Sequence, residues 1–496
     1  MSSLNIIRFY LNGQLHEVAN VESTTTLLNY LRETLLQTGS KEGCAEGDCG
    51  ACTVVIAEQQ DGRLRFRSIN SCIQFLPTLD GKALYTVEGL RNKDGSLHPA
   101  QQAMVDCHAS QCGFCTPGFV MSLFALYKSE NRPDRQLIDD ALAGNLCRCT
   151  GYRPIIDAAG QMYEYGKEQT AEQQTVINSP GSVKALEKEL VEQLEMIKPA
   201  KDKKLGRHFY APLSLDSLTS CYAEHPEATL LAGGTDVGLW VTKQYRDLPE
   251  IIYLGQIEEL KRINIAEGFI QIGASVSLTD AFECLLEHYP DLDEIARRFA
   301  SPPIRNAGTL CGNVANGSPI GDSMPALLCL GTIVRLRSAA GSRDVPMHKF
   351  YLGYQQKDLQ QAEFVEAVLI PLPEEQHVFR SYKISKRFDQ DISAVCAAFN
   401  LVLKDGVVDE ISIAYGGMAA IPQRALQCEK SLLGQNFELA IVEKSMQVLS
   451  EDFTPLTDMR ASADYRIKVA ANLLLRFYHE VNGAAKNTTH VLRYVG

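Results

Sequence analysis

Glu42-Gly43-Cys44-Ala45-Glu46-Gly47-Asp48-Cys49-Gly50-Ala51-Cys52 is the stretch on which the fold turns. Its cysteines stand as C-x4-C-x2-C, and a fourth, Cys72, follows after nineteen residues. This is the ligand spacing of a plant-type [2Fe–2S] cluster, in which a distant cysteine closes the set. The spacing predicts a one-electron carrier held by Cys44, Cys49, Cys52 and Cys72.

The glycines give the spacing a physical sense. A loop wrapped around a cluster must aim backbone N–H groups at sulfur and visit dihedrals that a side chain disfavours. Gly43, Gly47 and Gly50 stand where such a loop needs them. Zinc is the competing reading. Zinc sites favour paired short spacings, which the interleaved x4, x2 and x19 gaps do not supply.

The chain has 496 residues, 45% hydrophobic and 22% charged, with a net charge of −12. That length predicts several ordinary domains. The acidic balance disfavours nucleic acid as a partner, because that partner demands a basic patch. No apolar run reaches the ~18 residues that suggest a membrane span, so no membrane partner is expected. The start lacks a charged segment followed by an apolar one, so a cytoplasmic location is expected. Fifteen cysteines then read as metal ligands and buried thiols. Nine lie before residue 150, and the other six (Cys221, Cys284, Cys311, Cys329, Cys396, Cys428) read as small buried hydrophobes.

Working outward from the loop, Ile6-Ile7-Arg8-Phe9-Tyr10-Leu11 and Gln14-Leu15-His16-Glu17-Val18 flank Asn12-Gly13, a strong hairpin signal. A helical spacing over 26–32 precedes the cysteine loop, and a strand over 52–56 follows it. This order resembles the β-grasp fold of plant-type ferredoxins, over residues 1–85.

A second cysteine group follows: Gln111-Cys112-Gly113-Phe114-Cys115-Thr116-Pro117-Gly118 and Gly144-Asn145-Leu146-Cys147-Arg148-Cys149-Thr150-Gly151-Tyr152-Arg153-Pro154. Residues 119–128 and 134–143 between them are predicted helical. Two cysteine loops at the ends of antiparallel helices would close a second cluster. Cys107, Cys112 and Cys115 also stand as C-x4-C-x2-C, so nine cysteines compete for eight positions. Spacing alone leaves the choice between Cys107 and the Cys147/Cys149 pair open.

Residues 166–205 read as a linker: a polar run over 167–174, a break at Asn178-Ser179-Pro180-Gly181, and a short surface helix over 183–197 with Leu186, Leu190 and Leu194 on one face. Residues 198–204 read as a loose basic stretch. Then Thr229-Leu230-Leu231-Ala232-Gly233-Gly234-Thr235-Asp236-Val237 is a strand breaking into a glycine turn, and Ala307-Gly308-Thr309-Leu310-Cys311-Gly312-Asn313 is a second glycine-rich segment. Glycines after a strand let backbone N–H groups form a nest for pyrophosphate, and a plain tight turn is the alternative. No G-x-G-x-x-G with a downstream acid is present, so no Rossmann dinucleotide site is expected. Residues 380–496 alternate strand patterns (394–403, 410–415) with a helical tail over 463–478.

Together these segments resemble the molybdenum hydroxylase (xanthine oxidase) family, and within it the iron–sulfur/FAD subunits of the bacterial xanthine-oxidising branch. The resemblance covers nearly the whole chain. It implies an α+β multidomain protein: a ferredoxin domain (1–85), a helical [2Fe–2S] domain (86–165), a linker (166–205), a two-part FAD-binding domain (206–378) and a smaller C-terminal α+β flavoprotein domain (379–496). It implies that Cys112, Cys115, Cys147 and Cys149 hold the second cluster and that Cys107 does not, with Cys149 on the side facing the partner's molybdopterin. Leu230, Leu231, Ala232, Gly233, Gly234, Thr235, Asp236 and Val237 would hold the FAD pyrophosphate. Phe299, Thr309, Asn313, Ser318, Asp322, Ile370 and Lys383 would lie near the flavin, and the segment 383–392 would govern NAD access. For Phe299 an ordinary core aromatic is the alternative.

The family's molybdenum-binding domains find no counterpart in these residues. The resemblance therefore implies a large molybdopterin-binding partner subunit, with no hydroxylation residues on this chain, in a dimer of heterodimers. Electrons would pass from that partner through two [2Fe–2S] clusters to FAD and NAD as hypoxanthine or xanthine is oxidised to urate. The alternatives are the same role in an aldehyde or N-heterocycle hydroxylase, a stand-alone iron–sulfur flavoprotein reductase, and a cysteine-rich zinc scaffold. Fusion of both cluster domains to the FAD domain favours the xanthine type.

Overall fold

A computed structural model describes residues 5–484, apart from 61, 93, 168–174, 182–183 and 206–207, together with residue 489. Most of the polar run at 167–174 and the start of the expected helix at Val183 thus lie outside the described residues. The fold is α+β and divides into two units, residues 1–258 with 301–308, and residues 259–300 with 309–496. Among the described residues no helix is long and apolar enough to cross a membrane.

In the first unit the expected hairpin forms. Ile7–Leu11 pairs antiparallel with Gln14–Val18, and Asn12 and Gly13 both adopt positive φ (51° and 80°) in the tight turn. Ala83–Tyr85 adds parallel to Ile7–Leu11, and Thr53–Gln60 with Arg63–Asn70 completes a five-stranded sheet. The period of a strand sends alternate residues to opposite faces. Val54 and Ile56 join a core with Phe9, Leu27, Leu31 and Phe75, whereas Val55 and Ala57 join one with Phe66, Phe124 and Tyr127. Both faces are therefore covered. The helical spacing over 26–32 becomes a short α-helix, Leu27–Asn29, capped by Thr26 and running into a π turn, Tyr30–Thr34.

The second face is covered by helices Pro99–Asp106, Thr116–Ser129, Arg135–Leu142 and Arg153–Lys167. Thr116–Ser129 is buried almost all round, as a helix apolar on every side should be. Helix Lys184–Ile197 has the expected apolar face: its Leu190, Leu194 and Ile197 are buried in the same core, while Lys188, Glu189, Glu192 and Glu195 are exposed; the side chain of Leu186 lies outside the described residues. The basic stretch after it is not loose. Lys203 opens a strand, Lys203–Leu205, and its ammonium sits 2.6 Å from the Asp80 carboxylate in a nearly dry pair. That strand joins Phe209–Ala211, Ile251–Tyr253 and Thr229–Leu231 in a small sheet whose last three strands run parallel.

The second unit holds two sheets. One is antiparallel, in the order Ile263–Ala266, Phe269–Gly273, Phe364–Pro371, Ile333–Ser338 and Gly341–Pro346. The other contains His377–Ile384, Val395–Lys404, Val407–Gly416 and Gln423–Arg424. Helices Leu426–Leu432, Leu439–Asp452 and Ala463–Val481 share a core with it through Phe399, Tyr415, Leu449 and Phe477. The second glycine-rich segment does not follow a strand. Thr309 caps helix Leu310–Asn316, accepting the Gly312 N–H, and helix Pro302–Ala307 precedes it.

Candidate functional site: two cysteine clusters and a glycine loop

The first cysteine loop is shaped by backbone. Ala45, Gly47 and Gly50 all take positive φ (55°, 80° and 69°). This winding turns three N–H groups inward: those of Glu46, Asp48 and Cys49 lie 3.5, 3.3 and 3.4 Å from Cys44 Sγ. Cys72 Sγ lies 3.3 Å from Cys52 Sγ, and the Cys44 thiol interacts with those of Cys49 and Cys72. The crowding splits the thiols. Hydrogen bonds from Cys49 and Cys72 hold Cys44 far below the usual thiol range, and the Cys44 bond pushes Cys72 far above it. Four sulfurs within reach of one another and ringed by N–H groups fit a thiolate-bound cluster. A Cβ on Gly43 would come within 2.8 Å of Cys49 Sγ, and one on Gly50 would strike the carbonyl oxygen of Gly144.

In the second group Cys112 Sγ and Cys149 Sγ stand 3.6 Å apart, and the thiols of Cys115 and Cys147 interact. Cys115 immediately precedes helix Thr116–Ser129, and the Cys147 N–H donates to the Tyr152 hydroxyl at 2.9 Å. Cys112 and Cys149 are exposed, whereas Cys52 and Cys72 of the first group are buried. Cys107 sits at the end of helix Pro99–Asp106, with Asp106 and Asp157 as its charged neighbours. The structure thus brings together the two expected sets of four.

Two residues that sequence reasoning passed over join the sets. Asn145, 3% exposed, donates to the Gly50 carbonyl (3.1 Å) and Thr53 Oγ1 (3.3 Å) and accepts from the Ser122 hydroxyl (2.6 Å). Leu146 N–H donates to the Cys49 carbonyl at 3.0 Å. Their place immediately before Cys147 was the only available signal.

Of the residues expected around FAD, 230–237 belong to the first unit. Leu230 and Leu231 end the strand, and Gly234 turns with φ 79°. A Cβ on Gly233 would strike the Ala307 carbonyl oxygen, so the loop backbone runs closer than any side chain allows. Burial raises the Asp236 carboxyl above its usual range. This glycine turn after a strand leaves backbone free to face a pyrophosphate and fits the group.

Phe299, Thr309, Asn313, Ser318, Asp322, Ile370 and Lys383 belong to the second unit. Lys383 and Asp322 form a buried ion pair at 2.6 Å, completed by Ser393, whose hydroxyl donates to Asp322, and by the Arg298 carbonyl, which accepts from Lys383. Asn313 accepts from Ser323, and the Ser318 hydroxyl accepts the Ile320 N–H. Ile370 is buried in its strand opposite Ile270, and Phe299 is nearly buried against Phe282. Arg298, adjacent to Phe299, pairs with Glu294, donates to the carbonyls of Lys383 and Phe388, and lies over the Phe388 ring. It anchors the segment after Lys383.

Domain-family profiles match as a 2Fe-2S iron-sulfur cluster binding domain (9–75), a [2Fe-2S] binding domain (86–160), the FAD binding domain in molybdopterin dehydrogenase (203–373) and the CO dehydrogenase flavoprotein C-terminal domain (380–481). Xanthine dehydrogenase of Emericella nidulans is 34% identical over 96% of this chain and 38% of its own length. Aldehyde oxidase 2 of Mus musculus is 29% identical over 96% and 39%. The chain spans about two-fifths of the curated relatives it matches. A solved chain of CO dehydrogenase from Oligotropha carboxidovorans superposes with a TM-score of 0.51 at 28% identity, covering 54% of this chain and 95% of that one.

Two [2Fe–2S]-binding domains ahead of an FAD-binding domain define an iron–sulfur flavoprotein oxidoreductase. The chain belongs to the molybdenum hydroxylase family and corresponds to its iron–sulfur/FAD region.

Proposed function

We propose that this chain carries electrons for a molybdenum hydroxylase of the xanthine dehydrogenase type. Cys44, Cys49, Cys52 and Cys72 hold one [2Fe–2S] cluster, and Cys112, Cys115, Cys147 and Cys149 hold the other. When bound, the clusters relay single electrons and FAD gathers them in pairs for NAD. The observation that carries the reading is the hydrogen bond from Leu146 to Cys49, which joins the backbone beside Cys147 to a residue of the other set.

The two cysteine sets differ in exposure, which supports different roles for them in the relay. Cys112 and Cys149 are exposed, with Phe114 and Leu146 exposed nearby. That face is the entry side, where a large molybdopterin-binding partner docks. Cys52 and Cys72 of the first set are buried, and Ile73 beside Cys72 packs against Gly238, so this set is the exit side toward FAD. A dimer of heterodimers in the cytoplasm completes the proposal.

Similarity over 96% of this chain to a xanthine dehydrogenase supports xanthine and hypoxanthine as substrates of the assembly. Similarity to an aldehyde oxidase supports a second reading, the same relay serving an aldehyde. Native purification with an assay for molybdenum tests both. A large companion with molybdenum near one per chain, reducing NAD with xanthine, is expected. Reduction with aldehydes only would favour the second reading, and an iron–sulfur flavoprotein without molybdenum would contradict both.

A further inference from the structure

We propose that Thr242 is a positioning residue that couples the glycine loop at 231–237 to the first cysteine loop. The inference rests on the reading above, in which these loops hold FAD and a [2Fe–2S] cluster.

The short helix Val237–Thr242 starts where the glycine loop ends. Both of its ends are seated on segments that carry cluster cysteines. At its start, the Gly238 N–H donates to the Gly234 carbonyl at 2.7 Å. Gly238 also lies against Ile73, the neighbour of Cys72. A Cβ at 238 would come within 2.8 Å of Ile73 Cβ and closer to the Ile73 carbonyl. At its end, the Thr242 hydroxyl lies 2.7 Å from the Ala45 carbonyl oxygen. Lys243 reaches Glu46 at 3.6 Å, a partly exposed pair worth little by itself.

Ala45 is the residue held at φ 55° between Cys44 and Glu46. A left-handed backbone is unfavourable for alanine and persists only when its surroundings hold it. The peptide between Ala45 and Glu46 is a rigid plane. Its oxygen accepts from Thr242, and its N–H lies 3.5 Å from Cys44 Sγ. Turning that plane moves both ends at once. Thr242 therefore sets how squarely the Glu46 N–H faces the Cys44 sulfur.

The hydroxyl has one proton and two acceptors within reach, Ala45 at 2.7 Å and Gly238 at 3.1 Å. Movement of the helix trades one bond for the other and frees or fixes the Ala45 peptide. Occupation of the glycine loop by a pyrophosphate acts on that helix from its start. Hydrogen bonds to sulfur tune cluster potential, so the first cluster registers whether FAD is bound.

The test uses the full-length chain with both clusters intact and its flavin removed, titrated with FAD while the clusters are followed by EPR and redox titration. In the unmodified chain, FAD shifts the g-values and midpoint potential of the first cluster and leaves the second in place. Thr242→Val binds FAD but loses the shift, and its first cluster has a lower midpoint before FAD is added. Thr242→Ser, which keeps the hydroxyl, restores the response. A shift of the same size in Thr242→Val, or FAD binding without any shift in the unmodified chain, overturns the coupling. Failure of FAD to bind while both clusters are intact overturns the reading of the loop, and the coupling with it.

Discussion

Leu146 and Cys49 are joined by a backbone hydrogen bond of 3.0 Å, although 97 positions separate them in the chain. Leu146 precedes Cys147, and Cys49 belongs to the other cysteine set. The bond is backed by Asn145, whose amide reaches the Gly50 carbonyl and Thr53 while its oxygen accepts from Ser122. One short strip of backbone thus holds the two cysteine loops in fixed register.

Asn145→Ala removes that backing. The Gly50 carbonyl keeps the Thr53 hydroxyl at 2.7 Å, but the buried Ser122 hydroxyl loses its acceptor. A cost of about 1–3 kcal/mol is expected. Rapid-reaction reduction of the full chain should show slower equilibration between the clusters, with both still assembled. An unchanged rate would remove Asn145 from the relay.

Gly50→Ala meets two obstacles, a φ of 69° and the Gly144 carbonyl where the new methyl would lie. Gly62→Ala meets only the first, at φ 73° with nothing within 4 Å. The Gly62 variant should lose about 1 kcal/mol in denaturant unfolding and keep its iron. The Gly50 variant should fail to retain the first cluster by iron and sulfide analysis. Equal behaviour of the two would mean that strain rather than close approach fixes Gly50.

These cases show what sequence conveys and what it withholds. The hairpin and the cysteine loop were legible because turn chemistry and ligand spacing are local. The Asn12-Gly13 turn and the glycines at 47 and 50 take the positive φ that their positions require. The second glycine segment carried no sign of the helices on either side of it, since glycines after a helix and after a strand look alike in an apolar run. Thr309, a good cap residue, was the missed clue. Lys203 reads as part of a loose basic stretch because its partner, Asp80, lies 123 positions away. Thr242 and Ala45 are 197 positions apart, and nothing local to either announces the contact.

His98 supplies a pH dependence. It is fully buried; its Nε2 lies 2.9 Å from the Ile177 carbonyl, and its Nδ1 accepts the Ala100 N–H at 3.1 Å. That arrangement suits the neutral ring with its proton on Nε2. Burial, with the Lys128 charge adding to it, lowers its pKa to about 4 from 6.5. Because the unfolded chain binds the proton first, stability is full above pH 6.5 and falls as pH drops toward 4, by about 3 kcal/mol. His98→Gln should flatten this part of the pH profile in urea unfolding. An identical slope would assign the acid sensitivity to other groups.

Lys383→Met strands the buried Asp322 carboxylate in the second unit, with the Ser393 hydroxyl still donating to it. Breaking a buried pair on one side costs about 3–5 kcal/mol. The variant should unfold at lower denaturant and retain less flavin, with cluster EPR unchanged. Undiminished flavin content and NADH oxidation would separate Lys383 from the flavin site.

The central claim is that two separate sets of four cysteines each hold a [2Fe–2S] cluster. Low-temperature EPR of the reduced full-length Cys107→Ser chain tests it most directly, with Cys112→Ser as the counterpart. Two distinguishable signals of about one spin each are predicted for Cys107→Ser, and one for Cys112→Ser. A single remaining signal in Cys107→Ser would contradict the account, because Cys107 would then belong to a cluster.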